Sequence, residues 1–553
     1  VDFSFIFGKT FYRYLILNGV FLATILFLNP RYGTPDDWIL SELISGSYTN
    51  QYETNLIFIQ SVVGYLFKAL NLLSPINNIY SLILVQILIL VLSICYPGEK
   101  MIRNTNLYLV WILQSSFVLI MFILRPTYTN FAIYSTVLLM TFIVVNKNSL
   151  SFFKEFICWS ILSLSIFVRT ESTYILILYL FSVLVIQLKF FRTSTIKIKN
   201  YYLGFTIVSL TYVINFLLKQ ETSNQKWVNY NTWNSMRHQI HNRIGQFKLD
   251  QILIPSGWIP EEHNLFVDWS YGDSKIFNLD WITVAFNFTK DYRGIEALHN
   301  LDFNYFLFNL ERYNFTNNWT LVIICQFLLL IVLKRSFDSK RLILQFIILL
   351  LPSLIIFLYS GFFLLLPDRV VLPIVTLPIM IFLLSLISQK SNFRIDIFSY
   401  SFFFVVIIIY GEQVLKINQN NLTENRLNSK VIETLTEFNK EAIYYAPGSV
   451  NPFYSTNPFH LKSKEKQLKF LNVGSWDTFS PHWYKKKINL GAESNSAYDD
   501  LFLPNVYWVG QEIPDTSLNI ELILEKVYKI EVSRTTELKI QENLNLYKFN
   551  KIN

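Results

Sequence analysis

Eleven mostly apolar runs leave this 553-residue chain few ways to fold. They are Phe11–Leu28, Tyr80–Tyr96, Leu107–Leu124, Thr127–Val145, Phe156–Val168, Ser172–Leu188, Tyr201–Leu218, Trp319–Leu333, Leu342–Leu365, Val370–Ile387 and Ile395–Leu415. A helix that crosses a bilayer needs about 20 mainly apolar residues. Composition points the same way: 16% of residues are charged, against about 25% in a soluble domain. The aromatic share of 17% suits rings placed near membrane interfaces. The expectation is an all-α polytopic membrane protein with about eleven transmembrane helices.

Lys9 and Arg13 flank the start of the first run and no small-residue cleavage site follows, so it reads as a retained helix. Cys95, Cys158 and Cys325 fall in apolar runs and read as small hydrophobic residues rather than a disulfide set. The short alternate connections carry the basic residues: Lys100 and Arg103; Lys147 and Lys154; Lys189, Arg192, Lys197 and Lys199; Lys334, Arg335, Lys340 and Arg341; Lys390 and Arg394. This is a positive-inside pattern with a cytoplasmic N-terminus. It accounts for the net charge of +8 without a nucleic-acid partner.

The same threading places 29–79 and 219–318 outside as loops of a transmembrane unit, 1–416. Residues 417–553 then form a small α/β C-terminal domain on the outer side. Val506–Val509 and Leu544–Phe549 read as strands, and Ala446–Pro458 and Gly474–Pro481 as loops. Within the first outer loop, Trp38–Gly46 and Leu56–Leu73 read as amphipathic helices lying along the interface.

The informative polar residues gather at the outer boundary. Asp36 and Asp37 follow the first apolar run directly, and adjacent carboxylates in a poorly solvated place raise a pKa or recruit a cation. An Asp before Trp38-Ile39-Leu40 also suits a helix N-cap, and one carboxylate can cap while the other acts. Arg125, Arg169 with Glu171, and Asp368 with Arg369 sit at three tight outer turns. Such charges snorkel, pair locally or serve a site; guanidinium groups bind phosphate oxygens bidentately. In the second outer loop, His238, Trp258, Glu261 and Trp269 mix rings with polar groups, as sugar sites do, and are equally a folded segment. His238-x-x-His241 is a weak metal motif. Nucleotide-binding loops, zinc spacings and Gly-x-Ser-x-Gly are absent from the sequence.

The layout resembles the GT-C superfamily of membrane glycosyltransferases, which use polyprenyl-linked sugar donors. The likeness rests on one helix followed by Asp36-Asp37, a first outer loop with two helices, short outer turns in the middle and an outer C-terminal domain. The segment from Pro35 to Tyr48, with Glu42 and Tyr48 as supporting residues, is also similar to bacterial multi-pass proteins of that type. No Trp-Trp-Asp motif is present. The resemblance implies Asp36 or Asp37 as general base and Arg369, with Arg125 and Arg169, on the phosphate of a polyprenyl-phosphate sugar. The acceptor would be a glycan, lipid or protein outside a bacterial plasma membrane. Some members add a divalent metal, Mg or Mn. An O-antigen-type polymerase, which would place its key residues in 219–318, and a lipid-linked-sugar flippase are the competing expectations.

Overall fold

The computed structural model describes residues 4–73, 79–96, 105–146, 150–190, 202–219, 224–243, 253–254, 257–288, 319–336, 340–363, 368–385, 397–459, 468–494, 496–512 and 515–552. Each of the eleven apolar runs forms a helix. After α1 (Ser4–Phe27), the segment 29–79 contributes α2 (Pro35–Ser45) and α3 (Ser61–Leu73). Then come α4 (Ile79–Ile94), α5 (Thr105–Leu124), α6 (Tyr128–Asn146), α7 (Phe152–Val168), α8 (Ser172–Phe190) and α9 (Tyr202–Lys219). The segment 219–318 holds α10 (Gln225–Arg243), α11 (Pro260–Val267) and α12 (Leu279–Phe288). The bundle resumes with α13 (Trp319–Ser336), α14 (Lys340–Phe363), α15 (Asp368–Ser385) and α16 (Ile397–Phe438). Among the described residues three helices are long and apolar enough to cross a membrane: Thr10–Phe27, Tyr128–Asn146 and Ser401–Phe438. The basic loops at 97–104, 191–200 and 386–396 lie outside the described residues.

Helix α6 is the centre of the bundle. It is buried over nearly its whole length and packs against α4, α7, α8 and α15. An apolar helix without a polar face belongs inside, or in lipid. The peripheral helices show the second case: Leu22, Leu26, Phe205, Leu210, Phe404 and Ile408 point outward from α1, α9 and α16.

Helix α2 starts with Thr34 as N-cap and Pro35 in its first turn, and ends on Gly46 at φ 78°, a left-handed cap that suits glycine. Asp37 through Ile44 are all buried. The helix is therefore enclosed by protein and does not lie along an interface, because Ser41 finds an internal partner in the Tyr32 hydroxyl (3.1 Å). Only α3 keeps an amphipathic pattern, with Val63 and Phe67 inward and Leu66, Leu72 and Leu73 exposed. Residues 56–60 precede it as a turn rather than helix.

The C-terminal part is built around a five-stranded sheet of order β2-β1-β3-β5-β4. Strands β1 (Ile443–Ala446), β2 (Lys469–Asn472) and β3 (Val506–Gln511) run parallel; β4 (Val532–Gln541) and β5 (Leu544–Lys551) are antiparallel additions. Helices α17 (Pro481–Asn489), α18 (Ala497–Asp500) and α19 (Thr516–Lys526) complete it. The second outer loop and this sheet share one core, in which Trp233, Trp258, Phe266 and Tyr271 pack with Tyr445, Trp483, Trp508 and Phe549. Helix α16 runs unbroken through residue 416 and ends against the other sheet face through Val431 and Leu435.

One close approach fixes the loop to the sheet. A Cβ on Gly474 would sit 1.5 Å from the Trp269 carbonyl oxygen, the same oxygen that accepts the Gly448 N–H at 2.6 Å. Gly474→Ala should therefore destabilise the full-length protein by ~1–3 kcal/mol or more, read as a lower unfolding temperature. Gly411→Ala, in the interior of α16 with open space around its Cβ position, should be neutral or stabilising by up to ~1 kcal/mol.

Candidate functional site

Two neighbouring carboxylates at the start of α2 have opposite environments. Asp37 is fully buried and accepts three hydrogen bonds: from the Thr34 hydroxyl (2.6 Å), the Tyr80 hydroxyl (3.1 Å) and the Tyr128 backbone N–H (3.0 Å). The last of these lies at the start of α6, where a helix presents free N–H groups and a positive dipole end. Burial raises the Asp37 pKa to about 7 against the pull of the Thr34 and Tyr128 hydrogen bonds. Asp36, one residue earlier, turns to α15. Its Oδ2 accepts from Arg369 Nη1 at 3.1 Å, and both side chains keep about a fifth of their surface open, 17% and 21%.

Tyr128 joins this pair to a second arginine. Its hydroxyl accepts from Arg169 Nη1 at 3.1 Å, and Arg169 also pairs with Glu171 at 3.0 Å. Arg169 and Arg369 both lie within electrostatic reach of that hydroxyl. Phe58 stacks parallel to the Tyr128 ring at 6.5 Å and lies under the Arg169 guanidinium at 5.3 Å. It holds φ 68°, an uncommon conformation for a bulky residue. Arg125 goes elsewhere: its Nε donates to Asn421 Oδ1 (3.1 Å), which also accepts from Arg31 (2.9 Å). Arg31 in turn pairs with Glu424 on α16. So Arg369 meets Asp36, Arg169 meets the Tyr128 hydroxyl, and Arg125 belongs to a neighbouring knot. The Asp368 side chain lies outside the described residues.

The C-terminal part packs against this centre. Tyr48 donates to Asp477, and the Trp476 ring meets Phe58 at 5.2 Å. Burial is the main reason the Asp477 carboxyl is pushed above its ordinary pKa. His482 bonds the Asn55 carbonyl at 2.6 Å, Lys485 pairs with Glu53 at 2.9 Å, and Asn489 donates to the Thr49 carbonyl at 3.0 Å. Glu42 is buried within α2.

Neither a protein-family model nor a curated protein matches the sequence. Among solved structures the chain is similar to a membrane-lipid complex. That is the crystal structure of ArnT from Cupriavidus metallidurans bound to undecaprenyl phosphate, at 11% identity and a TM-score of 0.39, over 99% of this chain and 98% of that one.

Trp258, Glu261 and Trp269 are engaged around the core shared with the sheet, with partners other than Asp36. Trp258 stacks on Trp281 with ring centroids 3.4 Å apart, Glu261 pairs with Lys526 at 2.5 Å, and Trp269 stacks on His241. His238 is exposed on α10, whereas His241 is buried in that aromatic stack and its pKa is driven well below the ordinary value, chiefly by burial. A divalent metal does not fit this donor set. Asp37 is engaged by three donors, Asp36 faces a guanidinium, and among the described residues no three His, Cys, Asp or Glu side chains gather to hold an ion. Sequence reading missed Tyr80, Tyr128, Phe58 and the 475–477 segment. The tight turn at Arg125-Pro126 was the available pointer to Tyr128.

Because burial pushes the folded Asp37 carboxyl up to about 7, well above the ordinary aspartate range near 3.8, the folded state holds a proton that the unfolded state has lost between those pH values. Stability is then greatest below pH ~4 as far as this group is concerned, and falls by at most a few kcal/mol as pH rises through ~7. Asp37→Asn should remove that slope from the unfolding temperature measured against pH.

Proposed function

We propose that the chain is a GT-C-type membrane glycosyltransferase that takes a sugar from a polyprenyl-phosphate donor on the outer side of the membrane. Its apolar helices would form a bundle of eleven spans with the N-terminus inside, and the sheet-containing part would stand outside. The observation that carries this reading is the Asp36–Arg369 pair, a partly open carboxylate against a partly open guanidinium, close to a second arginine at the end of a buried helix bundle.

The chemistry follows from which groups are free to move. A donor phosphate arriving at Arg369 offers two oxygens in place of the single Asp36 contact, and bidentate binding is the stronger arrangement. Asp36 is then released to accept the proton of the acceptor hydroxyl. The acceptor oxygen attacks the anomeric carbon, the bond from that carbon to the phosphate oxygen breaks, and the electron pair leaves on the polyprenyl phosphate. Arg369 and Arg169 balance that charge, the kind of electrostatic help that is often the largest catalytic contribution. Asp37 has a positioning role: it is fully buried and held by three donors, whereas Asp36 keeps part of its surface open. The polymerase alternative would put the key groups in the second outer loop, where Trp258, Glu261 and Trp269 are instead engaged by Trp281, Lys526 and His241.

Release of polyprenyl phosphate from polyprenyl-phosphate sugars by the purified protein in lipid, followed by mass spectrometry, tests this reading. Asp36→Asn should lower turnover by ~10²–10⁴-fold and Arg369→Ala by ~10²–10³-fold. Equal release by wild type and both variants would sink the assignment.

A further inference from the structure

The two guanidinium groups within electrostatic reach of the Tyr128 hydroxyl are each held by a carboxylate, and the proposed chemistry uses only one of those carboxylates. Arg369 meets Asp36, the proton acceptor, at 3.1 Å; Arg169 meets Glu171 through Nε at 3.0 Å. Glu171 is the more open of the two acids, with 54% of its side chain exposed against 17% for Asp36. Its Oε2 also accepts from the Thr170 hydroxyl at 3.3 Å. The chain leaves it little choice of place, because Arg169-Thr170-Glu171 is the whole connection between α7 and α8. Backbone bonds from Ser172 N–H to the Arg169 carbonyl and from Tyr174 N–H to the Glu171 carbonyl close that turn. The Arg169 fork is only partly spent. Nε faces Glu171 and Nη1 donates to Tyr128, while Nη2 has no partner among the described residues and the side chain stays 15% open. A phosphate that reaches this arginine therefore has a glutamate as its near neighbour.

Charge changes during the transfer, and Glu171 stands where the change is felt. The donor phosphate is a diester with one negative charge. The product is a monoester whose second ionisation lies near 6, so above neutral pH it carries close to two. Transfer moves the acceptor proton onto Asp36, so the site exchanges one carboxylate charge for one phosphate charge. Two guanidinium groups then face a dianion, and arginine–phosphate pairs are among the strong charge-assisted contacts. With no like charge nearby, that product would be slow to leave. Glu171 supplies the like charge, and Coulomb repulsion between it and the phosphate doubles when the phosphate charge doubles.

We infer that Glu171 sets the charge preference of the site: acting through Arg169, it weakens the hold on a phosphomonoester more than on a phosphodiester and so speeds product release. The inference rests on the glycosyltransferase reading for which lipid is donor and which is product, but the charge preference itself needs no turnover. The test is equilibrium binding of undecaprenyl phosphate and of its methyl ester, a phosphodiester, to the full-length protein in detergent micelles. At about pH 8, Glu171→Gln should bind the diester about two- to threefold more tightly than wild type does, the size of an exposed charge effect. It should bind the monoester more tightly by about the square of that factor. The gap between the two lipids should close at about pH 5, where the monoester has lost its second charge. Glu171→Asp should restore the wild-type preference, and Glu437→Gln, at an exposed position far along α16, should change neither affinity. Absence of sugar transfer with these binding differences intact would count against the glycosyltransferase reading and leave the charge preference standing. No binding of either lipid by wild type, an equal change or none for the two lipids in Glu171→Gln, or a gap that persists at low pH overturns the inference.

Discussion

The buried Asp37 carboxylate is the fixed point of the structure. Its three hydrogen bonds tie the N-terminus of α2 to α4 through Tyr80 and to the first turn of α6 through Tyr128. Removing one partner of a buried polar group leaves the others unsatisfied, at a cost of roughly 1–3 kcal/mol each, so the three donors hold one another's geometry. Two backbone bonds zip the chain just before it, Arg31 N–H to Leu124 and Gly33 N–H to Pro126. Asp36 therefore has little choice of place. It comes off a clamped helix start and faces Arg369, which is carried by α15, a helix packed on the same α6.

The C-terminal part adds a roof that is attached by chemistry of a different kind. Tyr48–Asp477, Lys485–Glu53 and Asn489–Thr49 are single polar contacts between the first outer loop and the segment from 475 to 489. Individually such contacts contribute about 1 kcal/mol; together with the Trp476–Phe58 ring contact they register the roof over Tyr128. The strained backbone at Phe58 sits where roof and bundle meet, as strained residues in functional regions do.

Helix positions were legible in the sequence because period and length are local properties: each apolar run is a helix, and Val506–Val509 and Leu544–Phe549 lie within strands. The acidic pair and the arginine turns were also legible, because charges beside apolar runs are costly. What the sequence could not show was pairing at a distance. Arg369 has Asp368 beside it in the chain, yet its described partner is Asp36, 333 residues away. Arg125 looks equivalent to Arg169 by turn position and instead meets Asn421 on α16. Trp258, Glu261 and Trp269 looked like sugar-binding residues because exposed and buried aromatic–polar mixtures read alike until the sheet that covers them is in place. The parallel strands β1 and β2 are four residues each, too short to carry a period.

The central claim is that Arg369 holds the donor phosphate while Asp36 does not. Native mass spectrometry of the purified protein with undecaprenyl phosphate measures that directly. The account predicts that wild type and Asp36→Asn retain the lipid, the latter at least as well because no carboxylate competes for the guanidinium, and that Arg369→Ala loses it. Retention by Arg369→Ala equal to that of wild type would contradict the account.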